Sequence, residues 1–179
     1  MHILKEFLYR LRGEYTTEKL EKMGMKVGKN FKRLNGVILD PSHCWLIEIG
    51  DNVTLAPRVH ILAHDASTKI PLGYTKIGRV VIGNNVFIGA NTIILPNVTI
   101  GDNVIIGAGS VVTRDLAGEG VYVGNPCVKV DDYDKWIKKQ EERMKMSPCY
   151  SSDYVIGTIT KEKRLQMKSE LKNKMGFVV

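Results

Sequence analysis

Aliphatic residues recur at every sixth position through the middle of this chain of 179 residues. An α-helix repeats at about 3.6 residues and a single strand at every second residue, so neither element has this period. A short strand followed by a tight corner does repeat at six. The spacing predicts a mainly β protein built as a parallel β-helix, in which three short strands form each triangular coil. The inward-pointing series would be Ile82, Ile88, Ile94, Ile100, Ile106 and Val112.

The position directly after each member of this series often carries a residue that suits a tight corner. Glycine follows four of the six members directly, where a larger side chain would clash or where a positive φ is required. The fourth residue after most members is again apolar or small. We therefore expect a second internal column formed by Val86, Thr92, Val98, Val104 and Ser110.

A shorter series with the same period lies upstream, at Ile49, Leu55 and Ile61. The distance from Ile61 to Ile82 is longer than one coil, and the extra residues fall in the polar segment 64–76, HDASTKIPLGYTK. This segment is predicted to be a loop outside the coil, and loops on a rigid scaffold often carry binding and catalytic residues. The β-helix is expected to span residues 27–130, with an irregular first coil.

The N-terminal residues have a helical pattern. Apolar residues share one face within residues 2–12, and Thr16 or Thr17 can cap a short second helix that ends at Met23. We interpret residues 1–26 as an α-helical cap on one open end of the β-helix, where unpaired strand edges would otherwise promote aggregation.

The C-terminal residues 131–179 are predicted to form the second α-helical cap. The hydrophobic period changes to that of a helix after Val130, and a last helix is expected over Lys161–Lys174. The apolar faces of these helices are narrow, so we do not expect them to insert into a membrane.

Composition narrows the class of protein further. The net charge is +7, and the basic residues are scattered without interleaved aromatic residues, so nucleic-acid binding is not expected. A basic protein does suit a ligand with several phosphates. The three cysteines form no CxxC motif, which argues against a disulfide framework or a zinc ribbon. The N-terminus is charged where a signal peptide is apolar, and we expect a cytoplasmic protein.

Two stretches, VVIGNNVFIGANTIILPNVTIGDNVIIGAGSVVTRDL and GVYVGNPC, resemble the hexapeptide acyltransferases. The similarity covers about residues 27–130, and it is strongest to the maltose, galactoside and xenobiotic O-acetyltransferases and their polysaccharide-modifying relatives. It implies a left-handed β-helix, a homotrimer with active sites between subunits, and acyl transfer from acyl-CoA to a hydroxyl or an amine.

The resemblance also implies a catalytic histidine at the start of the excursion, where His64 lies. Histidine suits a general base because its ordinary pKa is near neutral. His43, Asp40 and Asp65 are expected to contribute to the acceptor site, and either Asp40 or Asp65 would orient the imidazole. His60 is interpreted as a wall residue of its coil.

Acyl transfer also requires a donor for the oxyanion and a groove for the pantetheine arm of CoA. By resemblance, Phe87 lies beside the pantetheine, and the backbone N–H groups of Gly89 and Ala90 serve the thioester oxygen. The resemblance also assigns the backbone of Ala108 to the pantetheine amides.

The phosphates of CoA require positive charge. The resemblance assigns them to Thr113 and Arg114. Lys129 is a further candidate because it follows the turn Gly124-Asn125-Pro126, one residue later than the family pattern has its basic residue.

These assignments predict direct transfer from acetyl-CoA, without a metal, to a hydroxyl of a sugar or polysaccharide precursor. Two alternatives remain. A γ-class carbonic anhydrase on the same fold needs three histidines around zinc, for which His43, His60 and His64 are candidates at a poorly matching spacing. The other alternative is a non-catalytic β-helix that serves only as an assembly subunit.

Overall fold

A computed structural model describes residues 15–179. Its largest part is a prism whose three faces, named A, B and C here, are parallel sheets that the chain visits in that order in every coil. Face A consists of Lys26–Val27, Ile47–Ile49, Val80–Ile82 and Val98–Ile100. Face B consists of Lys32–Arg33, Thr54–Leu55, Val86–Ile88, Val104–Ile106 and Gly120–Val123. Face C consists of Ile38–Leu39, His60–Ile61, Ile93–Ile94 and Val111–Val112.

The six-residue series forms the interior of this prism. On face C, for example, Ile61 pairs with Ile94 and Ile94 pairs with Val112, and all three side chains are fully buried. The fourth-residue column is buried as well, including Thr92 and Ser110. Burying one aliphatic side chain contributes about 1.5–3 kcal/mol, so the stacked columns are the main source of stability. The predicted parallel β-helix is confirmed.

The corners have two structural requirements, close approach of adjacent coils and a positive φ, and a different position meets each of them. Glycine directly after a buried aliphatic residue allows close approach of coils, since a Cβ added to Gly89 would lie 2.4 Å from the backbone nitrogen of Ala108. Positive φ is needed two residues later, where it is adopted by Asn85, Asn91 and Asn103 among others. Of the two reasons expected for the glycines, close approach is therefore the one that applies.

Asparagine side chains also link the coils along one corner. The Asn30 amide donates to Asn52, Asn52 to Asn85 and Asn85 to Asn103, each at 2.9 Å. The Asn103 amide ends the series by donating to Glu119 at 2.7 Å. All five residues have positive φ, so one conformation provides both the turn and the ladder.

The chain leaves the coil twice at the corner between faces C and A. The first departure covers residues 40–46 and contains the 3-10 helix Cys44–Leu46. The second runs from Ala63 to Gly78, which are joined by a hydrogen bond of 3.0 Å from the Gly78 N–H to the Ala63 carbonyl. The antiparallel strands His64–Asp65 and Lys76–Ile77 form its stem, with the 3-10 helix Ala66–Thr68 and the helix Lys69–Leu72 between them.

The first described helix spans Thr17–Lys22, and the Thr16 hydroxyl caps it by accepting from the Lys19 N–H at 3.2 Å. This agrees with the sequence prediction. The helix predicted over residues 2–12 lies outside the described residues.

After the last coil, the strand Val128–Asp132 pairs antiparallel with Gly120–Val123. The helix expected after Val130 therefore begins only at Tyr133 and ends at Lys145. The antiparallel strand delays it because its backbone groups pair with the last strand of face B.

Residues 134–179 form a second compact unit. Its strands Cys149–Tyr150 and Phe177–Val178 are parallel, the 3-10 helix Ser152–Tyr154 follows the first of them, and the last helix spans Lys161–Glu170. The prediction that this helix reaches Lys174 is wrong, because the chain turns there to bring Phe177–Val178 beside the other strand. Among residues 15–179, no helix combines the length and the apolar character needed to cross a bilayer.

Candidate active site

Two departures from adjacent coils bring together three side chains at the corner between faces C and A. Leu39 pairs with Ile61 on face C, so the residues that follow both strands leave the prism side by side. Asp40 and His43 come from the first departure, and His64 begins the second. Each offers a polar atom within 4.8 Å of those of the other two.

The Asp40 carboxylate holds the imidazole of His64. One Asp40 oxygen, Oδ2, forms a short hydrogen bond with Nδ1 of His64 and accepts the Ala63 N–H at 3.0 Å. The other, Oδ1, accepts the Ser42 N–H at 2.9 Å. Asp40 is only 2% exposed, whereas the His64 side chain is 33% exposed.

These hydrogen bonds determine the charge of Asp40. Burial alone would raise the pKa of Asp40, but the hydrogen bonds from His64, Ala63 and Ser42 outweigh burial and lower it. Because an ionised carboxylate only accepts hydrogen bonds, Nδ1 of His64 carries the proton and donates it. In the neutral imidazole the lone pair then lies on Nε2, which is the atom that can act as a base.

His43 and Trp45 extend this group outwards. The His43 ring lies 5.4 Å from the His64 ring and 5.4 Å from the Trp45 ring, measured between centroids. Nδ1 of His43 is buried and has no hydrogen-bond partner within residues 15–179. Trp45 was not a candidate in the sequence; its only signal was an aromatic residue two positions after His43.

Asp65 has another partner, and His60 lies on face C, outside this group. The Asp65 carboxylate lies 2.5 Å from Nζ of Lys76, and this interaction, with hydrogen bonds from Ser67, lowers the pKa of Asp65 to about 2. Of the two carboxylates proposed to orient the imidazole, Asp40 is therefore the one in contact with it. His60 is half-buried on face C, and burial lowers its pKa against an opposing effect of Asp40.

The histidines do not form the set expected for a γ-class carbonic anhydrase. Within the described part of the chain, the group able to hold a metal combines Asp40 with His43 and His64, and His60 is not part of it. Cys44 is fully buried, which raises the pKa of its thiol, and Sγ lies 3.7 Å from the Leu20 carbonyl. A packing role fits this cysteine better than that of a nucleophile.

The residues expected to bind pantetheine lie on face B and at the corner between faces B and C. Phe87 is 45% exposed, and the Ala90 carbonyl accepts the Gly109 N–H beside Ala108 at 2.8 Å. The Gly89 N–H donates to the Ile106 carbonyl at 2.8 Å. The expectation that this N–H serves the oxyanion is therefore wrong, because stacking of the coils already uses it.

The residues expected at the phosphates are exposed. Thr113 and Arg114 follow face C at the same corner as His64, two coils further along, or about 10 Å at the usual strand spacing. Nζ of Lys129 lies 2.9 Å from an oxygen of Asp132.

The candidate residues thus fall on two different edges of the prism. The group formed by Asp40, His43 and His64 lies at the corner between faces C and A, as do Thr113 and Arg114. Phe87 lies on face B, and Ala108 lies at the corner between faces B and C. One chain does not bring these two sets into contact.

Comparison with known proteins gives the family. Residues 79–114 match the family described as bacterial transferase hexapeptide (six repeats). Protein CapG of Staphylococcus aureus is 35% identical over 176 residues, which cover 94% of this chain and 96% of CapG.

Solved structures agree with this match. A maltose O-acetyltransferase from Clostridium difficile 630 is 47% identical, with a TM-score of 0.54 over 61% of this chain and 59% of that one. A galactoside acetyltransferase in complex with coenzyme A is 32% identical, with a TM-score of 0.52 over 64% of this chain and 58% of that one. The chain thus spans somewhat more than half the length of these two enzymes.

The coil, the period and these matches define an acyltransferase built on a left-handed parallel β-helix. The chain belongs to the hexapeptide-repeat acetyltransferase family. The fold class and the class of enzyme predicted from the sequence are confirmed at this level.

Proposed function

We propose that this protein transfers an acetyl group from acetyl-CoA to a hydroxyl of a sugar or polysaccharide precursor, with His64 as the general base. The pairing of buried, ionised Asp40 with partly exposed His64 is the observation that carries the proposal. The acetyl donor and the saccharide acceptor are supported by the names of the related enzymes, one of which was solved with coenzyme A.

The reaction is a direct transfer. Nε2 of His64 removes the proton of the acceptor hydroxyl while the oxygen attacks the thioester carbonyl. A positioned base contributes about 10²–10⁴-fold to such a step. Asp40 stabilises the imidazolium that forms, and His64 then returns the proton to the departing CoA thiolate.

The CoA arm is proposed to lie along Phe87 and the backbone of Ala90 and Ala108. Since the Gly89 N–H is engaged, we assign the oxyanion to the N–H of Ala90. Thr113, Arg114 and Lys129 would meet the phosphates, where Arg114 supplies charge-assisted hydrogen bonds.

The two edges of the prism support a homotrimer. A reaction that needs both His64 and the CoA groove requires the corner of one subunit to face the Phe87 side of another. Closed rotational symmetry provides three identical sites of this kind.

A panel of saccharide acceptors tests the proposal. Thiol release from acetyl-CoA is measured with maltose, methyl β-D-galactopyranoside and an amino sugar, each against a blank without acceptor. We expect saccharide-dependent thiol release and a product acetylated on oxygen, as identified by mass spectrometry and NMR. Release that no saccharide stimulates would contradict the acceptor class, and acetylation of only the amino group would contradict O-transfer.

A further inference from the structure

We propose that the indole of Trp45 is the stacking platform for the pyranose ring of the acceptor and presents one of its hydroxyls to His64. This inference rests on the proposed function, and it adds a binding residue and a preferred shape of substrate. The acceptor would be a pyranoside with an uninterrupted C–H face.

The position of Trp45 is the first argument. Three rings lie in sequence, Trp45, His43 and His64, with centroid separations of 5.4 Å for each neighbouring pair. The indole therefore lies at most two such spacings from the imidazole of His64, a distance that one or two sugar residues can span.

The exposure of Trp45 is the second argument. Trp45 is 52% exposed, although the neighbouring residues Cys44 and Ile47 are fully buried. An aromatic side chain buries about 150–250 Å² when it is covered. Because the indole of Trp45 is left uncovered, the folded chain lacks the favourable free energy that burying it would contribute. A ligand that covers the ring would recover that contribution.

The backbone beneath the indole is fixed. Trp45 lies in the 3-10 helix Cys44–Leu46, and the Leu46 N–H closes this turn on the His43 carbonyl at 3.0 Å. Gly24 packs behind it so closely that an added Cβ would lie 3.0 Å from Cβ of Trp45. A platform held in place before binding loses little freedom when the ligand arrives.

The chemistry of an indole face selects the ligand. The face of the ring carries partial negative charge, and the C–H bonds along one face of a pyranose carry partial positive charge. The hydroxyls at the rim of the sugar then point to the polar side, where His43 and His64 lie. A flat anion or an open-chain amine offers no such face.

The chain contains only two tryptophans, Trp45 and Trp136, which makes the test direct. In a Trp136→Phe protein, the emission of Trp45 is followed during titration with each saccharide of the panel. We expect saturable quenching or a blue shift with the saccharide that best stimulates thiol release. The matched control is Trp45→Phe, in which Trp136 should give no saccharide-dependent change.

Kinetics provide the second readout. With Trp45→Ala we expect the KM for the saccharide to rise about tenfold or more while the KM for acetyl-CoA is unchanged. Trp45→Phe should lie between this variant and the parent, and Trp136→Ala should match the parent. Equal thermal unfolding midpoints would show that each variant is folded.

Three negative outcomes are distinguishable. If a saccharide stimulates turnover but neither Trp45 emission nor the KM of Trp45→Ala changes, the platform is refuted and the transferase stands. If a saccharide quenches Trp45 without acetylation of any saccharide, the binding site stands and the proposed function fails. If no saccharide either quenches or reacts, both are refuted.

Discussion

The carboxylate of Asp40 and Nδ1 of His64 are hydrogen-bonded although 24 residues separate them in the sequence. The contact exists because both segments leave the prism at one corner in adjacent coils, and the Ala63 N–H, next to His64, binds the same carboxylate oxygen. The backbone geometry at this corner thus sets the orientation of the imidazole.

The first prediction concerns Asp40→Asn. An asparagine amide can donate to Nδ1, which moves the imidazole proton to Nε2 and removes the lone pair that the reaction needs. We expect kcat to fall by roughly two to four orders of magnitude, with an unchanged KM for acetyl-CoA. Thiol release measures both constants, and Asp134→Asn, an exposed residue of the second unit, is the control. A kcat within a few-fold of the parent would show that the carboxylate does not orient the base.

The second prediction concerns His60 and the pH dependence of stability. Burial lowers the pKa of His60, while an unfolded imidazole titrates near 6.5. As the pH falls below about 6.5, the unfolded state binds more protons than the folded state, so this group lowers the free energy of unfolding until the folded pKa is passed. His60→Gln should lose less stability than the parent between about pH 7.5 and pH 5.5.

Urea unfolding at these two pH values provides the measurement. Since Asp40 and the other titrating groups are common to both proteins, only the difference between them reports on His60. Equal losses in the parent and in His60→Gln would contradict the assigned burial of this imidazole.

The third prediction separates two contributions of the asparagines that link the coils, namely their side-chain hydrogen bonds and their positive φ. Asn85 has a φ of 55° and links Asn52 to Asn103 by two hydrogen bonds of 2.9 Å. Asn85→Gly loses the hydrogen bonds but tolerates positive φ, so we expect a loss of about 1 kcal/mol. Asn85→Ala also forces alanine into the left-handed region, which adds about 1–2 kcal/mol. Chemical denaturation ranks them, and a glycine variant as unstable as the alanine variant would contradict this division.

The fourth prediction tests whether each active site uses two subunits. In the proposed homotrimer, His64→Ala damages one edge of the prism and Ala108→Tyr blocks the other, so each variant alone should be inactive. Trimers assembled from an equal mixture should recover about a quarter of the parent activity, because a quarter of their interfaces carry two intact edges. Native mass spectrometry, which resolves the masses of the two variant subunits, confirms assembly of the mixed trimers. Mixed trimers that stay inactive would show that the two edges do not cooperate.

The interior of the prism could be predicted because burial repeats with the period of the coil, from Ile82 to Val112. The choice between Asp40 and Asp65 could not be predicted. It depends on where the two irregular segments meet and on the ion pair that Lys76 forms with Asp65.

The Gly89 N–H was misassigned for a related reason. The sequence identified a close approach at this glycine but not that the N–H itself binds the next coil at Ile106. A pattern of period six identifies the coil, whereas the proposed base, His64, lies in a segment that interrupts it.

The most direct test of the central claim is the single-turnover rate of acetyl transfer by His64→Ala at saturating acetyl-CoA and saccharide. We expect a rate lower than that of the parent by about 10²–10⁴-fold, with the binding of acetyl-CoA preserved. A folded variant that assembles like the parent and transfers acetyl at nearly the parent rate would show that His64 is not the base.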